Sequence, residues 1–164
     1  MRVAEKREDI RSVVLFAAPV DAIFLYENLT KHWGKNFFFN GWLTAKLRKS
    51  VGSTPDEDLK AWQERSPILS LNRFHSSLLF IHGLTDNIVP VEQTYHLRDQ
   101  LKKRGEKVTE KIYSKKGEVI KGEKDRSSGK YQFLFFEKQG HIFDKSIHSL
   151  TEDLAIEFIQ QQMK

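Results

Sequence analysis

The sequence predicts an α/β fold with a mainly parallel sheet flanked by helices, and three observations carry it. Val13 to Ala18 (VVLFAA) and Leu78 to Ile81 (LLFI) are apolar runs without polar alternation, as expected of strands buried on both faces of a parallel sheet. The second run passes through His82 and Gly83 into a polar turn carrying Asp86, and a helical pattern follows Val89 and Pro90. That order places a carboxylate at the carboxyl edge of a sheet, where α/β proteins bind ligands. A further apolar run, Tyr131 to Glu137 (YQFLFFE), enters a second polar turn, Gln139-Gly140-His141.

Taken in order, Met1 to Asp9 is charged and reads as the last turns of a helix. The strand Val13–Ala18 is bounded by Pro19 and Asp21. Residues 22–64 form a helical, aromatic-rich segment in which Trp33, Phe37, Phe38, Phe39 and Trp42 fall close together, as helices packed on a sheet or as a contact surface. Thr54-Pro55-Asp56-Glu57 reads as a helix start, with Thr54 as cap, Pro55 at the first position and Glu57 closing a capping box. Ser66-Pro67 ends that helix. Val91 to Arg104 reads as a helix with Thr94, Leu97 and Leu101 inward, basic residues in its last turn and Gly105 as terminator. Lys107 to Tyr113 alternates as a strand does, and residues 114–130 form a polar, basic insertion expected to be a surface excursion. Ser146 to Met163 closes the chain as an amphipathic helix with Ile147, Leu150, Leu154 and Phe158 on one face.

At 164 residues the chain fits one domain over residues 1–164. It has no cysteine, which excludes disulfides, thiolate catalysis and zinc–thiolate sites. The formal net charge of +5 is local. Lys102 to Lys130 holds eleven Lys or Arg against five Asp or Glu, so the remainder is not a polyanion-binding surface. The insertion basics (Lys115, Lys116, Lys121, Lys124, Arg126, Lys130) are interleaved with Glu118, Glu123 and Asp125 and lack stacking aromatics before Tyr131. A solvated loop is expected there, and no nucleic-acid partner; salt-sensitive binding to DNA or RNA would say otherwise. The N-terminus has no apolar signal region, and no apolar run approaches the roughly 18 residues of a membrane span. A soluble, cytoplasmic chain without a membrane partner is expected.

Arg65-Ser66-Pro67, then His82-Gly83 with Asp86, Val89-Pro90 and Gln93, then Gly140-His141 with Phe143, together resemble the C-terminal catalytic half of α/β-hydrolases of the prolyl oligopeptidase-like serine peptidase family. The resemblance covers roughly residues 13–158 and implies a partial α/β-hydrolase fold, with a hairpin or long loop inserted before the last strand. It implies that Asp86 and His141 are the acid and base of a Ser-Asp-His triad acting on a peptide or ester substrate, with residues 22–64 over the active site. Asp86 would hold the imidazole in its productive tautomer, and His141 would act as general base. The order Asp then His is that of the hydrolase triad. A turn aspartate binding nearby backbone N–H groups is the plainer alternative for Asp86; a surface loop histidine is that for His141.

The other histidines (His32, His75, His82, His96, His148) have no comparable setting, and His82 reads as a structural donor. No standard ligand spacing supports a metal at His82, Asp86 and His141, and no cofactor is expected. The nucleophile elbow Gly-x-Ser-x-Gly does not occur. Ser12 begins a strand, Ser53 leads into a helix start, and Ser66 is the family's Ser-Pro turn. The sequence therefore reads as base and acid without the atom they activate: a hydrolase domain lacking its nucleophile-bearing half and inactive alone. The expected open edge beside Val13–Ala18 invites self-association or a covering partner. The alternative is a non-enzymatic binding or scaffolding module derived from a hydrolase.

Overall fold

The computed structural model describes residues 1–31, 37–122 and 129–163. Its order is β1 (Ser12–Phe16), α1 (Ala22–Lys31), α2 (Phe37–Val51), α3 (Leu59–Gln63), a 3₁₀ helix (Pro67–Arg73), β2 (Ser77–Gly83), α4 (Glu92–Lys103), β3 (Val108–Tyr113), β4 (Val119–Gly122), β5 (Tyr131–Phe136) and α5 (Lys145–Gln162).

Among the described residues, five strands form one sheet in the order β1-β2-β5-β3-β4. β1, β2, β5 and β3 run parallel, and only the edge strand β4 is antiparallel. The predicted parallel, helix-flanked sheet is what forms. The apolar runs alternate between two cores. Leu78 and Phe80 of β2, with Tyr131, Phe133 and Phe135 of β5, face α4 and the 3₁₀ helix, packing with Leu97, Leu101, Leu71 and Phe74. Leu79 and Ile81, with Leu134 and Phe136, face α5 and meet Ile147 and Phe158. Central parallel strands are apolar throughout because each face must bury its own side chains. β2 is buried from Leu78 to Gly83, whereas β1 is only half-buried and ends on an exposed Phe16.

Both late runs join the sheet, and β5 passes between β2 and β3. The insertion before the last strand is a hairpin, and it is not wholly a surface excursion. Val119–Gly122 pairs with β3, and the turn at Gly117 lies against Leu150 of α5. Glu123, Lys124, Asp125 and Arg126 lie outside the described residues, as does Trp33.

Two local expectations need correction. Residues 1–9 form successive turns rather than helix. Glu5 is drawn instead into the body of the protein, where its carboxylate accepts from Arg2 Nη1 at 2.9 Å and Ser70 Oγ at 2.8 Å. The Thr54/Glu57 box forms, with Glu57 Oε2 accepting from Thr54 N at 2.7 Å and Glu57 N donating to Thr54 Oγ1 at 3.3 Å. It closes only a turn; helix α3 begins at Leu59, capped by Asp58, whose Oδ1 accepts from Ala61 N at 3.0 Å. α2 packs mainly against α1 and leaves Phe38 and Trp42 exposed.

Candidate active site

Adjacent parallel strands deliver the two predicted residues to one edge. β2 and β5 pair as far as Gly83 with Phe136, so the turns that follow both leave the sheet at its carboxyl end. Gly83 is what lets them touch. A Cβ there would lie 2.2 Å from the Gln139 carbonyl oxygen and 2.5 Å from that of Gly140. Leu84 N donates to Phe136 O at 2.9 Å, and Thr85 donates to Gln139 O from its backbone N at 3.0 Å and from Oγ1 at 2.8 Å. Gln139, buried, braces the start of α5: its Oε1 accepts from Asp144 N at 2.8 Å and its Nε2 donates to Asp144 Oδ2 at 3.1 Å.

Within this frame Asp86 and His141 meet. His141 Nδ1 lies 2.9 Å from Asp86 Oδ2. A carboxylate can only accept, so Nδ1 carries the proton and donates. Asp86 Oδ1 accepts from Ile88 N at 2.8 Å and Val89 N at 2.9 Å. The aspartate is thus a turn residue and a histidine partner at once, one oxygen for each task. Its side chain is fully buried, while that of His141 is 34% exposed. Burial pushes the Asp86 carboxyl up. Hydrogen bonds from His82, His141, Ile88 N and Val89 N outweigh burial and hold it below the usual carboxylate range.

The second histidine on Asp86 is His82, expected from the sequence to be a structural donor. His82 is fully buried at the end of β2. Its Nε2 lies 3.2 Å from Asp86 Oδ2 and 3.0 Å from Val89 O, and its Nδ1 lies 2.5 Å from Thr94 Oγ1 on α4. The signal available in the sequence was burial itself, because an imidazole inside a doubly covered strand must find partners for both nitrogens. Among the described residues, no group of three or more His, Cys, Asp or Glu side chains is arranged to hold a metal ion.

His141 lines a hollow of about 230 Å³ with Phe16, Ala17, Ile142, Phe143, His148 and Thr151. A larger hollow of about 690 Å³, containing Ile10, Arg11 and Ser76, lies where β1 and β2 begin, at the opposite end of the sheet from this chemistry. His141 Nε2 makes no hydrogen bond to a described residue. Ser66 is buried against α1, its Oγ accepting from Ala22 N at 3.0 Å and donating to Trp62 O at 3.0 Å. Ser12 opens β1 at the far end of the sheet, and Ser53 follows α2 beside Gly52 and Glu57. Gln93 Oε1 accepts from Val20 N at 2.8 Å and Asp21 N at 2.9 Å, tying α4 to the turn after β1.

Comparisons with known proteins agree with this architecture. Residues 13–141 match the profile of the prolyl oligopeptidase family. Over 72 residues the chain is 29% identical to the uncharacterized peptidase YtmA of Bacillus subtilis (strain 168), covering 44% of this chain and 28% of YtmA. A puromycin-hydrolyzing peptidase of Mycobacterium tuberculosis superposes with a TM-score of 0.61 at 21% identity, over 93% of this chain and 18% of that one. The acylaminoacyl peptidase of Pyrococcus horikoshii gives 0.57 at 15% identity, over 98% of this chain and 20% of that one. At such identities the structural likeness speaks to the fold, and this chain spans about a fifth of the length of these solved relatives. No helix among the described residues is long and apolar enough to cross a membrane. With the family profile matched across 13–141, well over half of its length, this chain belongs to the prolyl oligopeptidase family, and its fold is a partial α/β-hydrolase fold.

Proposed function

We propose that these 164 residues supply the acid and base of a serine hydrolase active site, and that the nucleophile and oxyanion donors come from a segment outside them. The observation that carries this reading is the Asp86–His141 contact of 2.9 Å at the carboxyl edge of the sheet. His141 keeps Nε2 without a described partner beside a hollow, as a general base requires. In the proposed reaction His141 Nε2 takes the proton of a serine hydroxyl as its oxygen attacks a peptide or ester carbonyl. The imidazolium then protonates the leaving group, and water attacks the acyl-enzyme with His141 again as base. Asp86, held ionised, fixes the ring and offsets the imidazolium charge.

The half-buried β1 edge supports a place for the missing segment. Among the described residues β1 pairs only with β2, and a parallel strand added there would end beside the hollow that holds His141. The test is labelling with a fluorophosphonate probe. The chain alone should not label or turn over ester or peptide substrates. Together with a nucleophile-bearing upstream half it should label, and His141→Ala should cut that labelling at least about a hundredfold. Stoichiometric labelling of the isolated chain would overturn the reading. A scaffolding role is favoured by one observation only, the exposed Phe38 and Trp42 on α2. It would gain ground if the completed protein failed to label.

A further inference from the structure

Asp86 Oδ2 is shared between two imidazoles, and only one of them faces the hollow. We infer that His82 is a positioning residue for the acid–base pair: a buried N–H donor, oriented by Thr94, that holds Oδ2 of the Asp86 carboxylate where His141 meets it. The inference deepens the proposed function and rests on it.

The geometry dictates the proton positions. His82 Nε2 faces two acceptors, Asp86 Oδ2 at 3.2 Å and the Val89 carbonyl at 3.0 Å, and neither can donate to it. Nε2 therefore carries the proton. Nδ1 is then free to accept, and Thr94 Oγ1 at 2.5 Å is its donor. A hydroxyl donating to one nitrogen polarises the ring and strengthens the N–H at the other. Both His82 and Thr94 are fully buried, so no solvent competes for these bonds. His82 also lies parallel to Phe80, its ring centroid 5.8 Å away, which fixes the plane of the imidazole. Asp86 is hydrogen-bonded to no side chain other than His82 and His141 among the described residues. His148 of α5, paired with Glu152 at 3.4 Å, is the other titratable group lining the hollow.

The chain carries its own control. Oδ1 is fixed by the turn amides, so removing His82 need not release Asp86; it strips one donor from Oδ2. Loss of a donor to a buried carboxylate makes it a weaker acid, while a merely space-filling ring would leave its titration alone.

The experiment is nuclear magnetic resonance on the isotopically labelled 164-residue chain. In the unsubstituted protein near pH 7, His82 should show the Nε2–H tautomer; the Nδ1–H tautomer would overturn the inference outright. Following the Asp86 carboxyl carbon through acid, His82→Phe should raise its proton affinity about ten-fold. His82→Gln, whose amide can donate to the same oxygen, should recover most of that change. Thr94→Val, which keeps the shape and removes the hydroxyl, should shift it in the same direction by a smaller factor. An unmoved Asp86 titration in His82→Phe, or in Thr94→Val should His82→Phe fail to fold, would reduce His82 to packing. The proposed function fails separately: if Asp86→Asn leaves the His141 Nδ1 proton signal unchanged, the acid–base pair is wrong while the His82 contact can still stand.

Discussion

Gly83→Ala tests the juxtaposition of the two turns most directly. The new Cβ would meet Gln139 O at 2.2 Å, Gly140 O at 2.5 Å and the Gln139 carbonyl carbon at 2.6 Å. These are backbone atoms, so no side chain can swing aside. Ordinary contact begins near 3.4 Å, so the turns must separate by roughly 1 Å. The Asp86–His141 contact of 2.9 Å would then stretch beyond hydrogen-bonding range, and the bonds of Thr85 to Gln139 O would open with it. Overpacking costs ~1–3 kcal/mol and each lost buried hydrogen bond ~1 kcal/mol, so destabilisation of about 2–5 kcal/mol is expected. Urea unfolding measures it as a lower midpoint at an unchanged slope, and the His141 Nδ1 proton resonance should vanish in the folded variant. A loss below about 0.5 kcal/mol with that resonance intact would refute the reasoning, since it would mean the strands can part without cost.

Asp86→Asn should flatten the acid limb of stability. The folded carboxyl is held below its unfolded value near about pH 4, so its contribution is present above that pH and is lost as pH falls through the folded value. Urea midpoints measured against pH should show a shallower acid decline in the variant, and parallel curves would contradict the assigned bonds. Gln93→Ala removes the acceptor for Val20 N and Asp21 N and should cost about 2–4 kcal/mol in urea unfolding. A change under about 0.5 kcal/mol would show that another acceptor replaces it. Phe16→Lys places a charge on the β1 edge, unpaired among the described residues; sedimentation of the chain should show less self-association with little change in melting temperature.

What the sequence revealed and what it hid divide along physical lines. The places of Asp86 and His141 were legible because each follows an apolar run and sits in a polar turn, so one-dimensional pattern and three-dimensional place coincide. His82 was legible as a structural donor but not as a partner of Asp86, because a histidine at the end of a strand looks the same whether it faces a backbone carbonyl or a carboxylate four residues on. The buried faces of α4 and α5 followed from helical periodicity, and Thr94, Leu97, Leu101, Ile147 and Phe158 are indeed buried. The pairing order did not follow. Nothing in the alternation of Val108–Tyr113 states that Tyr131–Phe136 will intervene between it and β2, since strand order is decided by crossovers rather than composition. The Thr54/Glu57 box misled because it can close a single turn as well as start a helix. Helix growth past that turn depends on burial, and residues 56–60 are all exposed.

The placement of β5 also sets an order of events during synthesis. The strand with partners on both sides in the middle of the sheet is the last to be made, so β2 and β3 must wait for it with facing edges unpaired. A ribosome adds roughly 5–20 residues per second. Residues 84–130, 47 in all, separate the end of β2 from the start of β5, so the nascent chain carries the bare flank of β2 for several seconds. During that interval Leu78–Ile81 is an apolar strand with no neighbour on that side, open to pairing with another chain. Chaperone capture should therefore be strongest on polypeptides arrested just before Tyr131, and should fall once β5 has cleared the exit tunnel.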